Sequence, residues 1–265
     1  MKNILIPVGS SKNAECHLQY AVDFAREFNA KLYVVQIYNV YTKSGTIIKV
    51  DHLLERESMA FLKKHISKIN TTGVDVKPLV FKGKLVDVIE LICKKLEIDL
   101  ILIEPKTNSI REEVFLGKTS GKIVKQTSIP ALIVPEGSTF RGFKSVMLSI
   151  KSAVIRKPKS LKLLRSIKAH FNATIKLLLV ETPYHKAGDH EVNEELDSMV
   201  SKIVKSKNPT TYQGTLEHFK EFQPDLLIVV RRKRGFFVKL WEKNTILKKD
   251  FYISEVPVLV LPGMK

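Results

Sequence analysis

The chain is poor in cysteine and has no long apolar run. It has two cysteines, Cys16 and Cys93, in 265 residues, too few for the disulfide framework of a small secreted domain. Its apolar runs, such as LILI and VLVL, are far shorter than the roughly 18 residues that a membrane span needs. After the first apolar run, proline and polar residues follow where a signal peptide would continue. These absences predict a soluble protein of the reducing cytoplasm.

Acidic residues are scarce relative to basic ones. The chain has 44 Lys+Arg against 27 Asp+Glu, a net charge of +17, and most of the excess lies after residue 140. A basic surface can attract nucleic acid, anionic lipid or acidic proteins. The sequence has none of the motifs of base-reading families, so a solvated lysine-rich surface is the favoured interpretation and nucleic acid is a less favoured partner.

The sequence repeats itself. KNILIPV at the start matches KSVMLSI from Lys144, NAKLYVVQI matches NATIKLLLV, DLILI matches DLLIV, and IPALIVP matches VPVLVLP. The landmarks keep their order, while the middle of the second copy is shorter. A repeat of this length indicates a domain duplication. We predict one domain over 1–138 and a shortened, degenerate copy over 139–265, joined by the linker PEGSTFRG.

Strand and helix patterns alternate in the first half. The predicted strands cover 2–8, 31–38, 74–81, 100–103 and 131–134, and the predicted helices cover 14–28, 51–70, 85–96 and 119–127. Continuous apolar strands that alternate with amphipathic helices are typical of a parallel sheet covered on both faces. The fold class is therefore α/β, with each half a Rossmann-like α/β/α sandwich around a five-stranded parallel sheet.

The second half repeats this plan with less regular elements. We predict helices over 157–171, 191–205, 216–222 and 244–252, and strands over 173–180, 210–213, 225–230 and 257–261. The strand over 210–213 has the weakest pattern of these.

The crevice at the carboxyl ends of the first and fourth strands is the expected ligand site of such a sheet. The sequence there resembles the universal stress protein (UspA) family. ILIPVGSS resembles that family's ILVPVDGS, and residues 99–135 resemble its DLIVMGTxGxxG...GSxxxxVxxxxxxPVLVV. The resemblance covers nearly all of residues 1–135 and implies a UspA-like fold and a role in stress physiology.

The family's nucleotide-binding motif is damaged in this chain. Its members use Gly-x2-Gly and, nine residues later, Gly-Ser/Thr, because glycine lets backbone N–H groups approach phosphates. Here the glycine-type positions hold Glu104, Thr107 and Ile110, Lys118 replaces the hydroxyl residue, Gly9 replaces an adenine-pairing aspartate, and Gly117 alone matches. We therefore predict no cofactor, with ATP as the alternative. The candidate residues of a degenerate nucleotide or anion site are Pro7, Val8, Gly9, Ser10, Gly83, Gly117, Lys118, Thr119 and Ser120.

Other signals in the sequence are weaker. Arg231–Arg234 with Phe236, Phe237 and Trp241 could bind an acidic ligand or stack bases, although packing on a sheet or a partner subunit is favoured. His185, Asp189, His190 and Glu191 are transition-metal ligand types close in sequence, but loop histidines are more often solvated and no metal is predicted. Cys16 and His17 are neighbours in a helix and cannot form a dyad. No residue pattern compels a catalytic assignment, so we predict no enzymatic activity.

These observations predict a non-catalytic, cytoplasmic binding or adaptor protein of the stress response. A nucleotide-binding universal stress protein with an altered site, and a basic protein that binds nucleic acid or acidic partners, are the alternatives. We also predict that the last strands of the two halves, 131–134 and 258–261, pair to form an intramolecular pseudo-dimer, because such edge strands pair between subunits in the family. A homodimer and a protein partner remain possible.

Overall fold

The computed structural model describes residues 1–9, 11–39, 47–105, 117–155, 161–231 and 256–263, with the backbone only at 47–50, 117 and 118. It divides into two compact units. The described residues up to Arg141 form the first unit and those from Gly142 onward form the second.

The first unit is built on a five-stranded parallel sheet. Its strands are β1 (Asn3–Pro7), β2 (Lys31–Tyr38), β3 (Val76–Lys82), β4 (Leu100–Ile103) and β5 (Ala131–Ile133), and its described helices are α1 (Ala14–Glu27), α2 (Ile47–Ile66), α3 (Leu85–Lys95) and α4 (Gly117–Gln126). The strand order is β3-β2-β1-β4-β5. β1 lies at the centre, and its Ile4, Leu5 and Ile6 are completely buried, as expected for a strand covered on both faces.

The second unit repeats this topology. Its strands are β6 (Ser145–Ile150), β7 (Thr174–Glu181), β8 (Lys202–Lys207), β9 (Leu226–Val230) and β10 (Val258–Leu261), and its described helices are α5 (Lys162–Phe171), α6 (Glu194–Met199) and α7 (Thr211–Phe222). All pairs are parallel, in the order β10-β9-β6-β7-β8. The predicted fold class is confirmed. The helix predicted over 244–252 lies outside the described residues.

Two predicted elements of the second unit are wrong. The helix expected over 191–205 is the short α6 followed by β8, because the buried strand β7 needs a partner for its outer backbone groups and β8 supplies it from Lys202 to Lys207. The weak strand expected over 210–213 is the start of α7. Thr210 caps that helix, since its Oγ1 accepts a hydrogen bond from the Gln213 backbone N–H at 3.1 Å.

The segment predicted as a linker packs on α1. The Phe140 ring makes edge-to-face contacts with Tyr20 and Phe24, at centroid distances of 5.3 and 5.4 Å. The Asn13 side chain donates to the Glu136 carboxylate, and the Cys16 thiol donates to the Ser138 carbonyl at 3.6 Å. These contacts explain why the first compact unit extends to Arg141.

Among the helices that the structure describes, none combines the length and apolar character needed to cross a membrane.

Candidate functional site

A cleft of about 640 Å³ opens at the carboxyl ends of β1 and β2 in the first unit. Its floor follows these strands, and its walls are the amino-terminal turn of α3 and one face of α4. The lining residues used below are Pro7, Val8, Gly9, Gly83, Lys84, Asp87, Thr119, Lys122 and Gln126. The cleft lies within the size range of small-molecule sites, about 300–1,000 Å³.

Gly83 shapes the wall of the cleft where the chain turns from β3 into α3. Its φ is +145°, and a Cβ there would lie 2.8 Å from the Val88 Cγ2. Its backbone N–H donates to the Tyr38 carbonyl at 2.9 Å. A side chain at this position would therefore both strain the backbone and collide with α3.

The amino terminus of α3 is available to a ligand. Lys84 is its N-cap residue, with an extended backbone and no side-chain capping hydrogen bond. A lysine side chain has no acceptor, so it cannot satisfy the first N–H groups of the helix. The partial positive charge of this helix end and the Lys84 ammonium group both favour an anionic ligand.

Gly9 has no comparable structural role. An ideal Cβ built at Gly9 has no heavy atom within 4 Å, and the backbone there is not left-handed. The carboxylate that the family's nucleotide-binding members place after the first strand is thus missing because of the residue type, and a Cβ at this position would meet no neighbouring atom.

Glu104 introduces a carboxylate beside the loop that follows β1. It directly follows β4, and its Oε1 accepts a hydrogen bond from the Ser11 hydroxyl at 2.8 Å. Burial raises the pKa of this half-buried carboxyl, and the Glu136 carboxylate raises it further, while the hydrogen bond from Ser11 acts in the opposite direction. The ionised form is therefore costly here, and it would repel a phosphate group.

The face of α4 that lines the cleft contains Thr119, Lys122 and Gln126, which are exposed. Ser120 points elsewhere, because its hydroxyl donates to the Glu104 carbonyl at 2.7 Å. The α4 helix begins at Gly117. Ser10 and the Lys118 side chain lie outside the described residues.

A separate small cavity between α1 and the chain that follows β4 and β5 is lined by Cys16, His17, Glu104 and Glu136, among others. Burial lowers the pKa of His17 to about 4, so this imidazole is neutral at physiological pH. Its Nε2 is buried without a hydrogen-bond partner. The Cys16 thiol donates to the Ser138 carbonyl instead of to this imidazole.

The corresponding region of the second unit is closely packed. A Cβ at Gly214 in α7 would lie 2.9 Å from the Val180 Cγ2 at the end of β7. The buried Ser149 and Thr215 hydroxyls share a hydrogen bond of 2.6 Å between β6 and α7. α7 therefore packs directly on the carboxyl ends of β6 and β7. Residues 232–250, which include Phe236, Phe237 and Trp241, lie outside the described residues.

The cleft brings together five of the predicted site residues: Pro7, Val8, Gly9, Gly83 and Thr119. Sequence reasoning missed Lys84, Asp87, Lys122 and Gln126. The spacing of Thr119, Lys122 and Gln126 was an available signal, because residues three and seven positions apart share one face of a helix. Lys84 and Asp87 could also have been predicted, because they lie at the start of a helix that follows a parallel strand.

Comparison with known proteins gives consistent results. The family model described as the universal stress protein family matches residues 1–135. The chain is 25% identical over 138 residues to a curated universal stress protein of Methanocaldococcus jannaschii, a match that covers 50% of this chain and 81% of the relative.

Two solved structures are similar over nearly the whole chain. A universal stress protein from Archaeoglobus fulgidus has a TM-score of 0.72 at 15% identity, covering 98% of this chain and 96% of its own. A functionally unknown protein from Pseudomonas aeruginosa has a TM-score of 0.62 at 12% identity, covering 100% of this chain and 93% of its own. At these identities the likeness shows the fold.

Proposed function

Because this chain belongs to the universal stress protein family, we propose that it is a non-catalytic binding or adaptor protein that acts in the cytoplasmic stress response. Family membership supports the stress-response role. The finer assignment is binding without catalysis. It depends on the side chains that line the cleft, and on the residues at the positions where nucleotide-binding members of the family contact phosphates.

The hydrogen bond between Ser11 and Glu104 carries this proposal. It fixes a carboxylate beside the loop after β1, at a position where the family's nucleotide-binding members have glycine. Phosphate oxygens and a carboxylate repel each other, and a half-buried site screens that repulsion poorly. The Ser120 hydroxyl could donate a hydrogen bond to a phosphate, but it donates to the Glu104 carbonyl instead. Glu104 lines the small cavity and not the cleft, so both features oppose a triphosphate at the carboxyl ends of β1 and β4, where the sequence predicts the ligand.

The ionisable groups among the residues that line the cleft are Lys84, Asp87 and Lys122. All three are exposed, and none is hydrogen-bonded to a nucleophilic side chain among the described contacts. General acid–base or nucleophilic catalysis needs such a pair within hydrogen-bonding reach. The cleft is therefore better suited to holding a ligand than to transforming one.

Nucleotide binding with altered contacts is the second candidate. The volume of the cleft, about 640 Å³, favours it, as do the uncapped amino terminus of α3 and the two lysines beside it. In that case the phosphates would be bound by Lys84, Lys122 and the first N–H groups of α3.

Calorimetric titration of the purified full chain with ATP separates the two candidates. We expect a dissociation constant weaker than about 10 µM, which corresponds to less than about 6.8 kcal/mol of binding free energy. We also expect no adenine absorbance in the acid-soluble fraction of the purified protein. Tighter binding, or co-purified adenine nucleotide, would favour the second candidate.

A further inference from the structure

A pair of histidines lies in the segment after β7 in the second unit. The rings of His185 and His190 lie 4.3 Å apart between centroids, with their planes tilted by 54°. The sequence suggested solvated loop histidines. In the structure, the Nδ1 of His185 and the Nε2 of His190 are instead buried, and neither has a hydrogen-bond partner. The Thr182 Oγ1, at the start of the same segment, is also buried without a partner.

This segment is held in place by backbone hydrogen bonds. The His185 N–H donates to the Thr182 carbonyl at 2.8 Å, and the Asp189 N–H donates to the Lys186 carbonyl at 3.0 Å. The Asp189 carbonyl accepts from the Ala153 N–H at 2.7 Å, which ties the segment to the chain that follows β6. Because the backbone is fixed, the two rings are preorganised relative to each other.

Buried polar atoms without partners are costly. An unsatisfied group loses its hydrogen bonds to water without replacement, and native proteins pair the large majority of such groups. Three such atoms in one short segment indicate that something besides the described side chains satisfies them. Two of the three are imidazole nitrogens, whose lone pairs are good ligands for zinc, nickel and copper.

We propose that His185 and His190 form a binding site for a divalent transition-metal ion of the zinc, nickel or copper class. A metal at about 2.0–2.1 Å from each nitrogen needs the two nitrogens within roughly 4.2 Å of each other. Rings whose centroids lie 4.3 Å apart can meet this condition. The Thr182 hydroxyl can donate a hydrogen bond to a water that is bound to the metal.

A site with only two protein ligands should bind a metal ion with moderate affinity. Within the described ranges, no group of three or more histidine, cysteine, aspartate or glutamate side chains is arranged to hold a metal. Water must complete the coordination, and the affinity should follow the order Cu²⁺ above Zn²⁺ and Ni²⁺. Mg²⁺, which prefers oxygen ligands, should not bind there.

The test is calorimetric titration of the metal-free full chain with Cu²⁺, Zn²⁺ and Mg²⁺. We expect one equivalent of Cu²⁺ and of Zn²⁺ to bind, and no Mg²⁺ at this site. His185→Gln and His190→Gln should each weaken the binding by roughly tenfold or more. His170→Gln, an exposed histidine of the same unit, is the matched control and should change nothing.

Electron paramagnetic resonance of the Cu²⁺ complex of the unsubstituted chain tests the same site without a variant. Hyperfine coupling to two imidazole nitrogens is expected. The proposal is overturned if the unsubstituted chain binds neither Cu²⁺ nor Zn²⁺ stoichiometrically, if both glutamine variants bind as the control does, or if the Cu²⁺ spectrum shows oxygen ligands alone.

Discussion

The Asp225 carboxylate accepts a hydrogen bond from the Lys144 backbone N–H at 2.6 Å. It also accepts the Ser145 N–H, at 3.0 and 3.1 Å from its two oxygens. In the first unit, Asp99 accepts the Lys2 N–H at 2.6 Å in the same way. The aspartate that starts the repeated DLILI and DLLIV sequences thus anchors the amino-terminal end of the central strand in each unit.

Replacing either aspartate by alanine should destabilise its own unit. The lost hydrogen bonds are assisted by the charge of the carboxylate, and such bonds contribute about 1.5–3 kcal/mol each when buried. Partial exposure reduces this, so we expect roughly 1–2 kcal/mol for Asp225→Ala. Urea unfolding gives the measurement. Asp225→Asn keeps an acceptor oxygen and should cost less; equal costs for the two variants would contradict this explanation.

The repeat also extends to backbone conformation. Among the described residues, four that are not glycine have positive φ, in equivalent pairs: Asn29 and Asn172 at +47° and +50°, and Glu97 and Gln223 at +48° and +43°. Asparagine tolerates the left-handed region better than glutamate or glutamine does. Gln223 ends α7, and its N–H donates to the Phe219 carbonyl, as is typical of a helix carboxyl terminus.

Gln223→Gly should therefore stabilise the protein. Glycine removes the strain of a left-handed residue and is the preferred residue after a helix, so we expect a gain of about 0.5–1 kcal/mol. Thermal or urea unfolding measures it. Asn172→Gly is the matched control, for which we expect a smaller gain. A loss of stability in Gln223→Gly would show that the glutamine side chain makes a favourable contact that outweighs the strain.

Because His17 is buried in its neutral form, we expect the protein to lose stability in acid. Its folded pKa is about 4, lowered by burial from the ordinary value of 6.5. The unfolded chain therefore binds a proton at this residue between pH 6.5 and 4, whereas the folded chain does not. The stabilisation is complete above pH 6.5 and is lost as the pH falls to about 4, where the loss levels off.

The size of this effect is set by the pKa shift, and at about 1.4 kcal/mol per unit it is roughly 3 kcal/mol. Urea unfolding at a series of pH values should show a weaker pH dependence for His17→Gln than for the unsubstituted chain between pH 6.5 and 4. His170→Gln, at an exposed position, should retain the original dependence. Identical profiles for His17→Gln and the unsubstituted chain would mean that this imidazole is protonated in the folded state.

The patterns that could be read from the sequence are those that depend on local spacing and burial. The apolar run Leu100–Ile103 predicts its strand because all four residues are buried. The predicted helix over 191–205 includes the first four residues of β8, because β8 is an edge strand whose exposed lysines hide the apolar alternation of a half-buried strand. Its structure is set by pairing with β7, a contact between distant residues that local periodicity cannot show.

The candidate site was predictable to a similar degree. The ends of parallel strands pointed to Pro7, Val8 and Gly9, and the structure places all three in the cleft. The hydrogen bond from Ser11 to Glu104 was not predictable, because it joins residues 93 positions apart. The sequence showed a carboxylate at an unexpected position, and the structure shows what it contacts.

Alanine substitution should destabilise the protein much more at Gly83 than at Gly9. A Cβ at Gly83 would meet the Val88 Cγ2 at 2.8 Å in a left-handed backbone region, while a Cβ at Gly9 meets nothing within 4 Å. We expect Gly83→Ala to cost about 1–3 kcal/mol and Gly9→Ala to cost less than about 0.5 kcal/mol. Differential scanning calorimetry of both variants gives the comparison. Similar melting temperatures would show that α3 can shift to admit a side chain.

Two substitutions together should increase the affinity of the first unit for ATP. Gly9→Asp restores the carboxylate that resembles an adenine partner in nucleotide-binding members of the family, and its Cβ would have no heavy atom within 4 Å. Glu104→Gln removes the negative charge while it keeps an oxygen that can accept from the Ser11 hydroxyl. We expect the double variant to bind at least about tenfold more tightly, a gain of about 1.4 kcal/mol.

Calorimetric titration with ATP and with adenosine separates the gain in affinity that comes from the adenine base from the gain that comes from the phosphates. Gly9→Asp should improve binding of both ligands, because adenosine shares the adenine base. Glu104→Gln should improve ATP binding alone, since adenosine has no phosphate for the carboxylate to repel. Glu97→Gln removes one carboxylate from the opposite end of the sheet, where Glu97 precedes the start of β4 at Leu100, and should change neither affinity. If Glu104→Gln leaves ATP affinity unchanged, the Glu104 carboxylate does not keep the first unit from binding nucleotides, and the glycines that the sequence lacks at positions 107 and 110 become the remaining explanation.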